Sequence, residues 1–229
     1  MIKKINFSAE NNFTDLAVEK LKDDGVVIVE NCVSELELMI LKSEIEKEIM
    51  EIGEDYPFGI SYRSDFQRHL SMKNKISSFF SQKWMKEIFY SYTGINKILP
   101  DDIFATHDFI ENKDLARNGF LHFDRNHCFK FFLYLTDIRK ESGSLYCCPK
   151  SHTKGKELRL NSWKEDSNYE GVKNRIEIDF PDVLENLDIY PIEGKAGTLI
   201  IFDTDAFHKG GIIEKSNERL IVRSHWKIK

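Results

Sequence analysis

The spacing of apolar residues changes character near residue 100. Before it, apolar positions recur at helical intervals. Phe13, Leu16, Ala17 and Leu21 predict a helix over 13–22, which Gly25 punctuates. Val26-Val27-Ile28-Val29 then predicts a short buried strand. Ser34-Glu35-Leu36-Glu37 matches a capping box, in which the hydroxyl and the carboxylate each accept from the other residue's backbone N–H. Leu38, Leu41, Ile45 and Ile49 continue as an apolar stripe, and Gly53 predicts its end. Residues 54–70 mix aromatic and charged side chains, including Arg63, Arg68 and His69, and predict a loop. A further helix is expected around 82–92.

After Pro100 the segments are short, rich in β-branched and aromatic residues, and separated by turn residues. Strands are predicted at 103–110, 119–123, 128–136, 144–148, 188–193, 198–202, 207–213 and 219–227. This spacing suits a sandwich or barrel. The polar stretch 152–180 predicts an insertion with some helix, lying over one mouth of the barrel. No repeat or linker interrupts the pattern. The expected fold is mainly β with flanking α, a double-stranded β-helix (jelly-roll, cupin-like) core buttressed by N-terminal helices. One domain, 1–229, is expected, with 1–100 mainly helical support and 101–229 the jelly roll.

Bulk properties narrow the function classes. A chain of 229 residues can bury one sizeable core. The net charge is −5, and Lys and Arg are scattered, so a phosphate-tracking surface and a nucleic-acid partner are not expected. No apolar run is long enough for a membrane span, and no signal-peptide core follows Met1, so a cytoplasmic location is expected. Cys32, Cys128, Cys147 and Cys148 lack Cys-x-x-Cys spacing and read as core residues of a reducing compartment.

The chemistry concentrates in three residues. His122 and Asp124 lie two apart in Leu121-His122-Phe123-Asp124, and on a strand they share a face. His208 supplies a distant third donor. Two imidazoles and one carboxylate with open positions form the facial triad of non-haem Fe(II) oxygenases. Taken alone, His-x-Asp equally suits a surface turn with an exposed carboxylate. His107-Asp108 would face opposite ways on a strand. His127 reads as a loop residue near the mouth, His152 as a turn brace, and His225 as a hydrogen-bonded strand histidine.

Motifs in one order across 25–225 resemble the phytanoyl-CoA dioxygenase family of Fe(II)/2-oxoglutarate oxygenases. The opening strand and capped helix are followed by His122-Phe123-Asp124. Then come Phe131-Phe132-Leu133-Tyr134-Leu135-Thr136-Asp137, Ser142-Gly143-Ser144-Leu145 and Pro149-Lys150-Ser151-His152. Ala196-Gly197-Thr198-Leu199-Ile200-Ile201-Phe202-Asp203 precedes His208, and Arg219 follows that histidine by eleven residues. Residues 54–100 and 153–187 carry no match. Lys150 replaces a glycine of the family signature, and Gly210 stands where several members carry a serine that touches the cosubstrate.

The resemblance implies that His122, Asp124 and His208 bind Fe(II) and are the catalytic set, with 2-oxoglutarate as cosubstrate. Oxidative decarboxylation would release succinate and CO2 and use molecular oxygen to hydroxylate a small molecule. Halogenating relatives lack the carboxylate, so Asp124 favours hydroxylation. Arg219 is implied as the cation for the distal carboxylate of 2-oxoglutarate, a role that suits a permanently charged guanidinium fork. Arg223 shares its strand face and is the competitor. Lys130, near another cosubstrate position of some members, is expected either on an exposed face or buried opposite an acid. The alternatives are a non-catalytic jelly-roll protein that binds a metal or ligand, and a cupin-type isomerase or hydrolase, which would need no buried arginine. The sequence leaves substrate and oligomeric state open.

Overall fold

The computed structural model describes residues 2–7, 12–52, 61–65, 74–96, 102–109, 119–214 and 216–228. In chain order the first elements are β1 (Lys4–Asn6), α1 (Phe13–Asp24), β2 (Val26–Glu30), α2 (Glu35–Ile52), β3 (Ser61–Asp65), α3 (Lys75–Phe79) and α4 (Lys83–Thr93). The barrel strands follow as β4 (Asp102–Phe109), β5 (Cys128–Tyr134) and β6 (Leu145–Cys147). Then come α5 (His152–Glu165), α6 (Ile176–Asp179), α7 (Pro181–Leu184), β7 (Tyr190–Ile192), β8 (Leu199–Asp203), β9 (His208–Gly210) and β10 (Glu218–Lys227).

Two sheets face each other. The larger has the order β1-β2-β8-β5-β10-β4-β3, and the smaller has β7-β6-β9. β1 runs parallel to β2, and the other pairings are antiparallel. The central strands of the large sheet are buried on both faces, which explains their unbroken apolar runs. On β5, Phe129, Phe131 and Leu133 join the core shared with α1–α4, as do Leu199 and Ile201 of β8 and Val222 and Trp226 of β10. The alternate residues Phe132, Tyr134, Ile200, Phe202 and Ile221 fill the barrel with Cys147 and Ile192 of the small sheet. The expected jelly roll and its helical buttress are therefore observed.

The capping box forms as expected. The Ser34 backbone N–H donates to Glu37 Oε2 at 3.0 Å, and the Glu37 N–H donates to Ser34 Oγ at 3.3 Å. Gly25 ends α1 with φ 74° and its N–H on the Leu21 carbonyl. Only glycine fits there, because the His152 ring would lie 2.7 Å from an added Cβ.

Two expectations need correction, and two short elements are additional. Residues 119–123 form no continuous strand; His122 makes only single bridge pairs with Arg175 and His208. Residues 61–65, read as loop, form the edge strand β3, which pairs with β4. β1 and α3 were not anticipated. All four cysteines are free and buried. Gly53, Arg68 and His69 lie outside the described residues, and among the described residues no helix is long and apolar enough to cross a membrane.

Candidate metal centre and its pocket

His122, Asp124 and His208 meet at the open end of the barrel. The ligand atoms of the three lie within 4.8 Å of one another. Asp124 Oδ1 stands 3.8 Å from His122 Nε2 and 3.5 Å from His208 Nε2. Although 121–124 is not a strand, His122 and Asp124 still point the same way because backbone bonds pin the segment. His122 and His208 exchange backbone hydrogen bonds of 3.0 and 2.8 Å, and the Asp124 N–H donates to the Thr204 carbonyl at 3.0 Å.

Each imidazole is aimed by the carbonyl two residues before it. Nδ1 of His122 lies 2.9 Å from the Phe120 carbonyl, and Nδ1 of His208 lies 2.8 Å from that of Ala206. A carbonyl only accepts, so each Nδ1 carries the proton and each Nε2 turns a lone pair into the site. Burial, helped by the neighbouring His208, depresses the His122 pKa to about 4, so the ring is neutral at physiological pH. Burial alone would raise the Asp124 carboxyl, but the Lys130 ammonium and His208 outweigh it and hold the group well below the usual carboxylate range.

These donors fit a hard-to-borderline divalent ion. His122, Asp124 and His208 would hold such an ion through two neutral imidazole nitrogens and one carboxylate oxygen. Lys130 takes the other carboxylate oxygen, with Nζ 2.6 Å from Oδ2, leaving Oδ1 turned toward the two imidazoles. Lys130 is thus buried opposite an acid, one of its two expected placements.

A second network holds the loop from which Thr204, Ala206 and His208 act. His127, in the loop before β5 as expected, lies 2.7 Å from Asp203 and 3.4 Å from Asp205. Tyr92 donates to Asp203 at 2.8 Å, and Arg159 of α5 grips both oxygens of Asp205 at 2.6 and 2.9 Å. Burial raises the Asp203 carboxyl, but the His127 hydrogen bond overrides this and leaves it below its ordinary value. The cluster could be taken for a metal site, yet Arg159 and Tyr92 already engage its carboxylates, and bracing is its evident use. Gly155 lets α5 lie directly on this loop, since an added Cβ would sit 1.8 Å from the Asp205 carbonyl oxygen. Arg159→Met should destabilise the protein by roughly 3–5 kcal/mol, as for a broken buried pair. The lower end is expected because His127 still faces Asp205. Thermal unfolding should show a fall on the order of 10 °C; an unchanged midpoint would mean the pair carries no stability.

Arg219 and Arg223 both face the barrel interior, as their odd positions required. Nε and Nη2 of Arg219 donate to Asp108 Oδ2 at 3.0 and 2.7 Å, and Nη1 donates to the Gly143 carbonyl. Arg223 stacks on Phe104 and Phe132, with Cζ 4.3 and 5.2 Å from the ring centres, and Nη2 donates to Thr106. Neither arginine lines the cavity of about 600 Å³ that opens over His122 and Asp124, whereas Lys130 and His225 do. His225, read only as a strand histidine, stacks on Phe132 and lies 3.9 Å from Asp102. Its shared odd parity with Arg219 and Arg223 was the available signal.

The family model of phytanoyl-CoA dioxygenase matches residues 21–216. The chain belongs to that family. Phytanoyl-CoA dioxygenases use Fe(II) and 2-oxoglutarate, which places this member among the enzymes dependent on that pair. His122, Asp124 and His208 suit iron, although two imidazoles and a carboxylate would also accept zinc on donor type alone. Curated protein sequences give no match. The fold is shared with solved structures of low identity. The α-ketoglutarate-dependent epimerase SnoN from nogalamycin biosynthesis, solved with Fe3+, α-ketoglutarate and nogalamycin RO, is 12% identical with a TM-score of 0.72, covering 95% of this chain and 84% of its own. The carbocyclase SnoK from the same biosynthesis is 15% identical with a TM-score of 0.70, covering 94% and 84%. HygX from Streptomyces hygroscopicus, solved with nickel and 2-oxoglutarate, is 11% identical with a TM-score of 0.63, covering 93% and 86%.

Proposed function

We propose that this phytanoyl-CoA dioxygenase-family chain is an Fe(II)/2-oxoglutarate-dependent dioxygenase that hydroxylates a small molecule, with 1–229 acting as one domain. The observation that carries it is the convergence of two aimed Nε2 lone pairs and Asp124 Oδ1, with His122 and Asp124 lining an open cavity. The overall reaction consumes the substrate R–H, O2 and 2-oxoglutarate, and yields R–OH, succinate and CO2. Iron, when bound, supplies the oxygen activation.

The residues do the remaining work. His122, Asp124 and His208 would hold the metal and leave positions open. Lys130 uses one of its three donors on Asp124, so two remain for cosubstrate oxygens. Arg219 uses three of its five N–H groups on Asp108 and Gly143, and the remaining two can receive a carboxylate. The core shared by α1, α4 and the strands supports the reading of the helices as a brace.

Purified protein supplied with Fe(II), O2 and a metabolite panel should release succinate from 2-oxoglutarate, with a matching product heavier by one oxygen atom derived from O2. Chloride should neither be incorporated nor be required, because Asp124 fills the position a halide would need. No Fe(II)-dependent succinate with any compound would defeat the enzyme reading. A product isomeric with the substrate, or one that has lost two hydrogens, would keep the class and remove hydroxylation.

A further inference from the structure

We infer that the cavity mouth is built to take a small organic oxyanion, a carboxylate or phosphate on an apolar body, through Arg125 and Arg175. The inference rests on the proposed oxygenase reading only in calling this oxyanion the substrate. Two segments cross at the mouth, and each contributes one guanidinium and one ring. Arg125 lies over Tyr169 at 5.1 Å, and Arg175 lies over Phe120 at 5.2 Å. The crossing is laced twice: Phe123 N–H donates to the Asn174 carbonyl, and the Asn174 side-chain Nδ2 donates back to the Phe123 carbonyl at 2.7 Å.

A guanidinium stacked on a ring keeps its N–H edge available, and that edge matches a carboxylate or phosphate. Arg125 is held further by Asn174 Oδ1 at 3.3 Å, while its acidic neighbour Glu170, at 3.7 Å, is 82% exposed and neutralises it weakly. Phe120 and Tyr169 are each 47% exposed, so the rings also offer apolar surface at the entrance. The described cavity lining holds four cationic side chains, Arg125, Lys130, Arg175 and Lys227, against the carboxylates of Asp102 and Asp124. Lys130 and Asp124 satisfy each other. The excess at the mouth therefore belongs to the rim, in a chain whose net charge is −5. A cavity of about 600 Å³ is within the range of small-molecule sites.

The test uses phenyl phosphate, phenylacetate and the neutral phenylacetamide as probes, titrated by calorimetry into the metal-free full chain. Trp163 gives a second readout, because its Nε1 donates to the Arg125 carbonyl at 2.7 Å and its ring lies 6.5 Å from Tyr169. At least one acid should bind, and the tighter of the two names the oxyanion. The amide should bind far more weakly. The double variant Arg125→Gln, Arg175→Gln should weaken the acid roughly tenfold or more, or about 1.4 kcal/mol per tenfold. The lysine pair Arg125→Lys, Arg175→Lys should recover much of it. Equal binding of acid and amide would overturn the inference, as would no acid binding at millimolar concentration. Binding that survives the glutamine pair but is lost in Lys130→Gln would also overturn it. The titration requires neither iron nor turnover, so a failure of succinate release leaves it standing, and its own failure leaves the oxygenase reading intact.

Discussion

A His122→Ala variant is expected to fold, to lose stoichiometric Fe(II), and to lose turnover by well over a hundredfold. The fold should survive because the backbone exchange between His122 and His208 does not involve the side chain. The loss of metal should be large because removing a partner that merely orients a ligand already costs 10–100-fold in affinity or activity, roughly. A ligand itself should cost more. Burial keeps the imidazole neutral down to about pH 4, so no proton has to leave before the metal binds near neutrality. Asp124→Ala should be harsher on the fold, since it strands the buried Lys130 ammonium 2.6 Å from a carboxylate that is no longer there. Metal analysis, circular dichroism and succinate release decide the matter. Unchanged iron content together with unchanged turnover in His122→Ala would remove the triad assignment.

The meeting of His122, Asp124 and His208 was legible because its signal is local: His-x-Asp, then a histidine behind an apolar strand. The reason given for it was only partly right. Aromatic and apolar content between turn residues suggested a strand at 119–123, whereas the segment is aligned by single bridges to Arg175 and His208. Both partners are distant in sequence, and a pattern of residues cannot show them. β3 was missed for the opposite reason. Its sequence, Ser61-Tyr62-Arg63-Ser64-Asp65, is mostly polar, and an edge strand needs no buried alternation. The barrel strands were readable because β-branched and aromatic runs have few other uses at that length.

Charge partners were the least readable level. His127, Asp203, Asp205 and Arg159 belong to three separate stretches, and only the packing of α5 against the loop after β8 unites them. Lys130 shows how far one residue can be taken. Its place among Phe129, Phe131 and Phe132 implied either an exposed face or a buried acid, and the fold supplied Asp124.

Arg219→Ala should raise the KM for 2-oxoglutarate by about two orders of magnitude or more while iron remains bound. Removing one partner of a buried charge pair costs roughly 3–5 kcal/mol, and each tenfold corresponds to about 1.4 kcal/mol. Iron should remain because the arginine is no ligand. Asp108 complicates a single substitution. Arg219 lies opposite it in the β10–β4 register and donates two hydrogen bonds to it, and the Asp108 side chain is only 14% exposed. Alanine at 219 therefore also takes two charge-assisted hydrogen bonds from a largely buried carboxylate and lowers stability. Combining it with Asp108→Asn should restore stability without restoring KM, which separates the two effects. Asp108→Asn alone should raise KM several-fold if Asp108 aims the guanidinium, with two N–H groups left for the cosubstrate; a lower KM would make Asp108 a competitor for the arginine. Arg223→Ala should be milder, because that guanidinium rests on Phe104 and Phe132 and its loss removes packing as much as charge. Steady-state kinetics on the variants settles the assignment, and a large KM effect at Arg223 with little at Arg219 would transfer the cosubstrate role to Arg223.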